Sequence, residues 1–194
     1  QVKRGDVSAK EFAELAAAMT SFGLGSIGFS SMMVVTSQLL RGMTEASYME
    51  FAQELHEKYI ARLIYPESRA LIEAHKRKGH TVAIISSALP YQVRPAADNL
   101  GIDNLLCTHL EVVDGKFTGS VERPTCFGPG KVAAAEQLSV DYGVDLDQTF
   151  FYSDSHDDLE LLERVGNPRA LNPNRKLTGI AERNGWPIRR FASR

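Results

Sequence analysis

This sequence has few cysteines, a single tryptophan and little net charge. Its 194 residues include two cysteines and one tryptophan, and the formal net charge is −2. Cys107 and Cys126 form no CxxC pair, which argues against a zinc site and favours free thiols in a reducing compartment. A net charge this small gives no sign of the basic surface that nucleic-acid binding requires. We therefore expect no nucleic-acid partner.

A secretory signal is also missing. The first residues are charged, and no apolar run with a cleavage site follows them. We therefore expect a cytoplasmic protein. Because the chain starts at Gln1 and not at methionine, we also expect it to be a piece of a longer polypeptide.

The stretch 15–40 contains no charged residue, although most of the chain is rich in charge. It is long enough to span a bilayer, but it holds several glycines and hydroxyl residues and is only moderately apolar. Three interpretations remain open: a membrane span, an interfacial or lipid-binding surface, and buried helices of a small helical insert. Either a membrane span or a lipid-binding surface would associate the protein with a membrane.

The first third of the chain is predicted to be helical. Ser8 and Glu11 fit a capping box, so a helix should begin near Ala9. Another should begin at Thr44 and run to about Leu63. We therefore predict that residues 1–64 form an all-helical cap and that residues 65–194 form a separate core.

The rest of the chain alternates strands with helices. Apolar runs predict buried strands at 81–85 and 149–153, and shorter strands at 169–171 and 188–191. Asp114-Gly115 between two apolar runs predicts a hairpin with a two-residue turn. This alternation predicts an α/β fold, a three-layer arrangement around a Rossmann-like parallel sheet.

Three carboxylates follow the strand 149–153, at Asp154, Asp157 and Asp158. Open α/β sheets bind ligands at the carboxyl ends of their strands. Like charges this close repel each other unless a cation lies among them, and oxygen ligands suit Mg²⁺. The alternative is a helix start that collects acids, because the helix dipole favours anions there.

Two other junctions carry residues suited to phosphate. Ser86 ends the strand 81–85, where a hydroxyl and the amides of a helix start can bind an anion. Lys131 begins a helix, where a cation is disfavoured unless an anion lies near it. The alternatives are a capping serine and a solvated lysine. Together with the carboxylates, these groups make up the machinery of phosphoryl transfer.

These junctions resemble motifs II, III and IV of the haloacid dehalogenase-like phosphatases, in the branch of phosphoserine phosphatase (subfamily IB). The run 153–158 fits the branch's motif IV, (G/S)D(S/G)x(N/D)D. The resemblance covers about residues 66–191, and the helical region before it lies where that branch carries its cap. The segments 64–69, 124–128 and 172–177 further resemble a subgroup that is fused in some members to a 1-acylglycerol-3-phosphate acyltransferase.

The resemblance implies a Mg²⁺-dependent phosphomonoesterase. Ser86 would hydrogen-bond the phosphoryl group, together with the backbone amides of Ser87 and Ala88. Lys131 would neutralise the phosphate and an aspartyl-phosphate intermediate.

The same resemblance assigns roles to the three acidic residues. Asp154 would bind Mg²⁺ directly, and Asp158 would orient that metal shell or Lys131. Asp157 falls in the substrate site, but many members carry Asn there, and a further negative charge would oppose phosphate. His156 occupies a variable position and is predicted to be exposed.

The family's nucleophile is an Asp in a DxDx(T/V) motif at the end of a first strand, before the cap. No such strand precedes residue 9. Asp145 to Thr149 spell DxDxT, but they precede the strand 149–153 and so lie roughly 17 Å from Asp154. We therefore expect the nucleophile, and a carboxylate acting as general acid and base, upstream of residue 1.

The substrate stays open among phosphoserine, histidinol phosphate and lysophospholipid-type phosphates. An acyltransferase fusion would imply phospholipid synthesis, and the apolar cap would then suit a membrane-proximal substrate. The alternative function is a catalytically incomplete phosphate-binding or scaffolding domain attached to the acyltransferase.

Overall fold

The computed structural model describes residues 28–192 and, before them, residues 13, 14, 16–18, 20, 21 and 24. The helix start predicted near Ala9 lies outside these residues. Within the described part, helices alternate with short strands, so the predicted α/β class is confirmed.

The continuous described segment from residue 28 begins with two helices, α1 (Phe29–Leu40) and α2 (Glu45–Leu55). Thr44 caps α2 as the sequence predicts, because its side chain accepts a hydrogen bond from the backbone of Ser47. After α2 the helical path continues to Leu63 as a π-helical turn (His56–Ile60) and a 3-10 turn (Ala61–Leu63).

The remaining elements follow in order along the chain. They are α3 (Pro66–Arg77), β1 (Ala83–Ile85), α4 (Pro90–Leu100), β2 (Asn104–Leu106), β3 (Leu110–Val113), β4 (Lys116–Val121), α5 (Pro129–Tyr142), β5 (Phe150–Ser153), α6 (Leu159–Arg164), β6 (Asn167–Leu171), α7 (Arg175–Asn184) and β7 (Ile188–Arg189).

The parallel strands of the described part form two sheets where the sequence predicts one. In the first, β1 pairs with β2, and Ile84 lies opposite Leu105. In the second, β5 pairs with β6 and β6 with β7. β2 was not predicted, because the strand is only three residues long and two of them are apolar.

The predicted hairpin is confirmed as β3 and β4, which pair antiparallel. Asp114 and Gly115 both have positive φ, at 49° and 70°. A two-residue turn of this kind matches the twist of the strands it joins.

The helix α1 packs on this hairpin. Ser37 donates a 2.7 Å hydrogen bond to the carbonyl of Gly119, and Gln38 donates one of 2.8 Å to the same oxygen. Phe29 and Met33 share a buried core with Phe117 of β4. Residues 29–40 of the uncharged stretch therefore form a helix packed on the protein, as the buried-helix interpretation expects.

Among the described residues, no helix combines the length and apolar character that crossing a membrane requires. The boundary between a cap ending at residue 64 and a core beginning at residue 65 stays a prediction.

Candidate active site

The three junctions predicted from the sequence, at Ser86, Lys131 and Asp154, lie on one cavity of about 410 Å³ at the carboxyl ends of β1 and β5. Ser86, Lys131, Asp154 and Asp158 all line it. They come from segments far apart in the chain, so it is the fold that collects them.

Lys131 is held in the first turn of α5 by a tightly packed loop. A Cβ atom on Gly130 would lie 1.8 Å from the carbonyl oxygen of Thr125, so only glycine lets these two stretches of backbone approach. The lysine is 7 % exposed as a result. Burial of an ammonium group requires a partner of opposite charge.

That partner is Asp158. Lys131 Nζ lies 2.6 Å from Asp158 Oδ1, and Ser153 donates a 2.7 Å hydrogen bond to the other carboxylate oxygen. The expectation of an anion beside Lys131 is therefore confirmed. Both oxygens of Asp158 have partners, so its position in the cavity is fixed.

Ser155 opens the helical segment that carries this acid. Its hydroxyl accepts a hydrogen bond of 3.2 Å from the backbone of Asp157, as a capping residue does. A 3-10 turn, His156–Asp158, precedes α6. Ser155 therefore caps this segment, and α6 begins one turn after it.

Asp154 is exposed and lines the cavity. It follows β5 directly, and its backbone carbonyl accepts a 2.8 Å hydrogen bond from the backbone of Asn174, which ties the loop to the start of α7. No ion pair involves its carboxylate among the residues that the structure describes. Of the three acids it is the one placed to bind a cation from the cavity.

The three carboxylates do not gather around one point, which corrects the sequence-based picture of a shared cation. Asp158 faces Lys131, whereas Asp157 is exposed and accepts a 3.0 Å hydrogen bond from the Ser155 hydroxyl. Within the described ranges, no group of three or more His, Cys, Asp or Glu residues is arranged to hold a metal ion.

The donors present fit Mg²⁺ in part. The Asp154 carboxylate is a hard oxygen ligand at the mouth of the cavity, and Mg²⁺ commonly takes one or two carboxylates together with water and phosphate oxygens. The described residues thus supply one carboxylate ligand, and the remaining ligands have to come from water, the substrate or another segment.

Ser86 also lines the cavity. Its backbone donates a 2.8 Å hydrogen bond to the carbonyl of Leu106, and its hydroxyl accepts one of 3.2 Å from Ala88. The hydroxyl therefore lines the cavity at the start of the turn into α4. Ser87, Ala88 and Asp157 are not among the residues that line this cavity.

Sequence reasoning missed several residues of the cavity wall, chiefly Asn172. Asn172 has a φ of 47°, and its side chain accepts a 2.7 Å hydrogen bond from the backbone of Phe191. Tyr65 and Ser68 line the wall near it. The available signal was the Asn-Pro pair that follows β6, since Asn tolerates positive φ and favours turns.

Asp145 and Asp147, which spell the DxDxT pattern, lie at the other end of β5. The Asp145 carboxylate accepts a 2.8 Å hydrogen bond from the backbone of Asp147 and so caps a 3-10 turn before the strand. Neither residue lines the cavity of Lys131 and Asp154. Their exclusion from the site on sequence grounds is confirmed.

Both cysteines are free, as predicted, and the structure shows that both are buried. Burial raises the pKa of the Cys107 thiol to about 11 and also raises that of Cys126. Both thiols are therefore protonated near neutral pH and are poor nucleophiles.

Residues 2–163 match the family model described as haloacid dehalogenase-like hydrolase. The chain belongs to this family.

Two relatives illustrate the range of the family. The chain is 39 % identical over 156 residues to the inhibition of morphological differentiation protein of Streptomyces azureus, covering 80 % of this chain and 56 % of the relative. It is 34 % identical over 153 residues to a phosphoserine phosphatase of Mycobacterium tuberculosis, covering 78 % and 49 %. The chain thus spans about half the length of these relatives.

A solved structure confirms the fold. A protein of unknown function from Bordetella pertussis superposes with a TM-score of 0.82 at 26 % identity, over 89 % of this chain and 79 % of that one. The α/β arrangement described above is therefore shared with this protein over most of both chains.

Proposed function

We propose that this chain is the greater part of a Mg²⁺-dependent phosphomonoesterase domain. The observation that carries the proposal is the buried ion pair between Lys131 and Asp158, which opens on the same cavity as Asp154 and Ser86. A lysine, a hydroxyl and a carboxylate on one cavity supply positive charge, a hydrogen-bond donor and a metal ligand for a phosphoryl group.

Binding of the phosphoryl group falls to Ser86 and Lys131. The Ser86 hydroxyl donates to one phosphoryl oxygen, and the amides of Ser87 and Ala88 offer further donors once the substrate has entered the turn. Lys131 offsets the negative charge that is shared by the phosphate and the aspartyl phosphate. Asp158 holds the ammonium group in position throughout.

Asp154 is the chain's own ligand for Mg²⁺. When bound, the ion polarises the phosphoryl oxygens and lowers the repulsion that an attacking carboxylate meets. Asp157 lies outside the ring of residues that lines the cavity, and we assign it to the outer edge of the substrate site.

The nucleophile is an aspartate that precedes residue 1 in the polypeptide. Its carboxylate attacks phosphorus, the substrate oxygen leaves as an alcohol, and a second upstream carboxylate first protonates that leaving group. The same carboxylate then deprotonates the water that hydrolyses the aspartyl phosphate. The exclusion of Asp145 and Asp147 from the site supports this assignment.

The substrate is a small phosphorylated metabolite or a lysophospholipid-type phosphate. The relative named phosphoserine phosphatase supports the first class. The sequence resemblance to acyltransferase fusions is what favours the second, and with it a role in phospholipid synthesis near a membrane. A screen should therefore include phosphoserine, histidinol phosphate and lysophosphatidate.

A second candidate function is a phosphate-binding or scaffolding domain that performs no turnover. The observation that favours it is that the described residues supply a single carboxylate ligand for a metal. It predicts phosphate binding through Ser86 and Lys131 without hydrolysis.

The deciding experiment measures Mg²⁺-dependent hydrolysis of p-nitrophenyl phosphate by the polypeptide extended upstream in its natural reading frame. We expect turnover that Asp154→Ala reduces to background, while Asp141→Ala, on the far surface of α5, retains it. If the extended polypeptide is folded and binds phosphate but shows no turnover, the phosphate-binding domain becomes the proposed function and the enzyme is rejected.

A further inference from the structure

Two histidines face each other at the end of α3. His75 lies in the last turn of the helix and His80 in the loop that follows it, and their Nδ1 atoms are 2.8 Å apart. His75 is half-buried, and His80 is exposed to solvent. Both line a cavity of about 490 Å³, and neither lines the cavity of the candidate active site. The pair is therefore separate from the phosphate site.

The backbone at the end of α3 brings these two residues together. The N–H of His80 donates a 3.2 Å hydrogen bond to the carbonyl of His75, and the N–H of Gly79 donates one of 2.9 Å to the carbonyl of Lys76. Gly79 has a φ of 74°. These features form a Schellman motif, in which the side chain after the glycine packs on the residue whose carbonyl it binds. The imidazoles therefore meet through local backbone geometry.

Two aromatic residues of β5 hold the imidazole rings. The Tyr152 hydroxyl lies 2.9 Å from His75 Nε2. The Phe150 ring makes a T-shaped contact with His75, at 5.2 Å between centroids, and stacks on His80 at 6.1 Å. Side chains that are locked by packing and hydrogen bonds are the ones that hold a ligand in a defined geometry. The pair therefore has the support of a built site.

The separation of the two Nδ1 atoms suits particular metal ions. With metal–nitrogen bonds of about 2.0–2.1 Å, two nitrogens 2.8 Å apart subtend about 85–90° at the metal. This is the angle of square-planar and octahedral coordination, which suits Cu²⁺ and Ni²⁺, and it is smaller than the angle of about 109° in a tetrahedral zinc site. Mg²⁺ prefers oxygen ligands, so imidazoles select against it.

We propose that His75 and His80 form a chelating site for a divalent transition-metal ion of the Cu²⁺ or Ni²⁺ type, bound through both Nδ1 atoms. At 2.8 Å one Nδ1 atom donates a hydrogen to the other. When the ion binds, that hydrogen moves through water to the Nε2 atom of the same ring, so neither imidazole changes its charge. Within the described ranges, no third His, Cys, Asp or Glu residue joins the pair, and water fills the other coordination positions.

Tyr152 supports the site through His75. A metal-bound histidine commonly donates its other ring N–H to an oxygen atom, which fixes the tautomer and the orientation of the ring. The Tyr152 hydroxyl is in position to accept that hydrogen from Nε2. A bound ion therefore ties the end of α3 to the loop before β1 and, through Tyr152, to β5.

Isothermal titration calorimetry with Ni²⁺, in the presence of excess Mg²⁺, tests the site on protein without a histidine tag. All five histidines of the chain lie among the described residues, so each can be replaced in turn. We expect one ion per chain, bound at least about tenfold more weakly by His75→Gln and by His80→Gln. His109→Gln, at another exposed position, is the matched control and should bind Ni²⁺ as the unsubstituted protein does.

Three outcomes of the titration would overturn the proposal. The first is unchanged affinity in His80→Gln, whose exposed position makes loss of folding an unsuitable explanation for any change; circular dichroism checks this. The second is loss of binding in His156→Gln, because that histidine lies 3.7 Å from Asp157 beside the candidate active site. The third is binding by the 194-residue chain that disappears in the polypeptide extended upstream, because the pair would then be covered.

Electron paramagnetic resonance of bound Cu²⁺ provides an independent readout. We expect splitting from two nitrogen ligands in the unsubstituted protein and from one in His80→Gln. Tyr152→Phe should keep both nitrogens and lower the affinity by about tenfold. Splitting from a single nitrogen in the unsubstituted protein would overturn the chelate. Asp154→Ala should leave the spectrum unchanged, because the metal site does not depend on the proposed phosphatase.

Discussion

The Lys131 ammonium group lies 2.6 Å from the Asp158 carboxylate, in a pair whose side chains are 9 % and 13 % exposed. The two residues are 27 positions apart, so the first turn of α5 and the segment after β5 have to be packed correctly for them to meet. The pair therefore links the stability of the fold to the charge of the candidate site.

Replacing Lys131 with methionine should be strongly destabilising, because the Asp158 carboxylate, only 13 % exposed, would lose its charged partner. We expect the free energy of unfolding to fall by about 3–5 kcal/mol, measured by urea denaturation. The double variant Lys131→Met with Asp158→Leu should recover most of the loss. If the stability losses of the two single variants add up in the double variant, the two residues do not act as a pair.

Gly130→Ala should destabilise the fold, because the new Cβ would lie 1.8 Å from the carbonyl oxygen of Thr125. We expect a loss of more than about 2 kcal/mol in the free energy of unfolding. Gly179→Ala is the matched control: its nearest neighbour is a side-chain atom of Arg183 at 3.5 Å, inside α7. It should raise stability by about 0.5–1 kcal/mol. Equal effects at both sites would contradict the close approach at Gly130.

Alkali should unfold the protein in a way that depends on Tyr48. Burial raises the pKa of its hydroxyl from 10.0 to about 12. The stability it contributes is complete below pH 10 and is lost as the pH rises towards 12, by on the order of 2–3 kcal/mol. Urea denaturation of Tyr48→Phe at pH 9 and pH 11.5 should show a smaller loss than the unsubstituted protein. Tyr59→Phe, at a position that is 55 % exposed, should not.

Asn174 connects the start of α7 to the loop of Asp154. Its side-chain oxygen accepts a 2.8 Å hydrogen bond from the backbone of Leu177, and its amide nitrogen lies 3.2 Å from His156 Nδ1. Asn174→Ala should lower the free energy of unfolding by about 1 kcal/mol, whereas Asn174→Asp keeps the capping oxygen and should change it little. Thermal denaturation measures both. If Asn174→Asp loses as much stability as Asn174→Ala, the side-chain cap does not stabilise this turn.

Local sequence signals were enough for most of the fold. Pro66 and Gly79 mark α3 within two residues, and Asp114-Gly115 gives the hairpin turn, because each acts through its own backbone conformation. β2 was not predicted, because a strand of three residues is too short to show a hydrophobic pattern. Whether the parallel strands form one sheet or two depends on contacts between distant segments, which no local window contains.

The site was predictable in its members but not in its geometry. Spacing brings Asp157 and Asp158 to the same helix start, yet they face different partners, because neighbouring residues of a 3-10 turn point about 120° apart. Asn172 reaches the cavity only because β6 pairs with β7, which brings Phe191 beside it. Sequence therefore names candidate ligands, and the turn geometry decides which of them share a site.

The most direct test of the account compares two aspartates at opposite ends of β5 in the extended polypeptide. Mg²⁺-dependent hydrolysis of p-nitrophenyl phosphate is measured for Asp154→Asn and Asp145→Asn, with folding checked by circular dichroism. The account predicts loss of at least about 100-fold in kcat/KM for Asp154→Asn and unchanged activity for Asp145→Asn. Loss of activity in Asp145→Asn with retention in Asp154→Asn would contradict it.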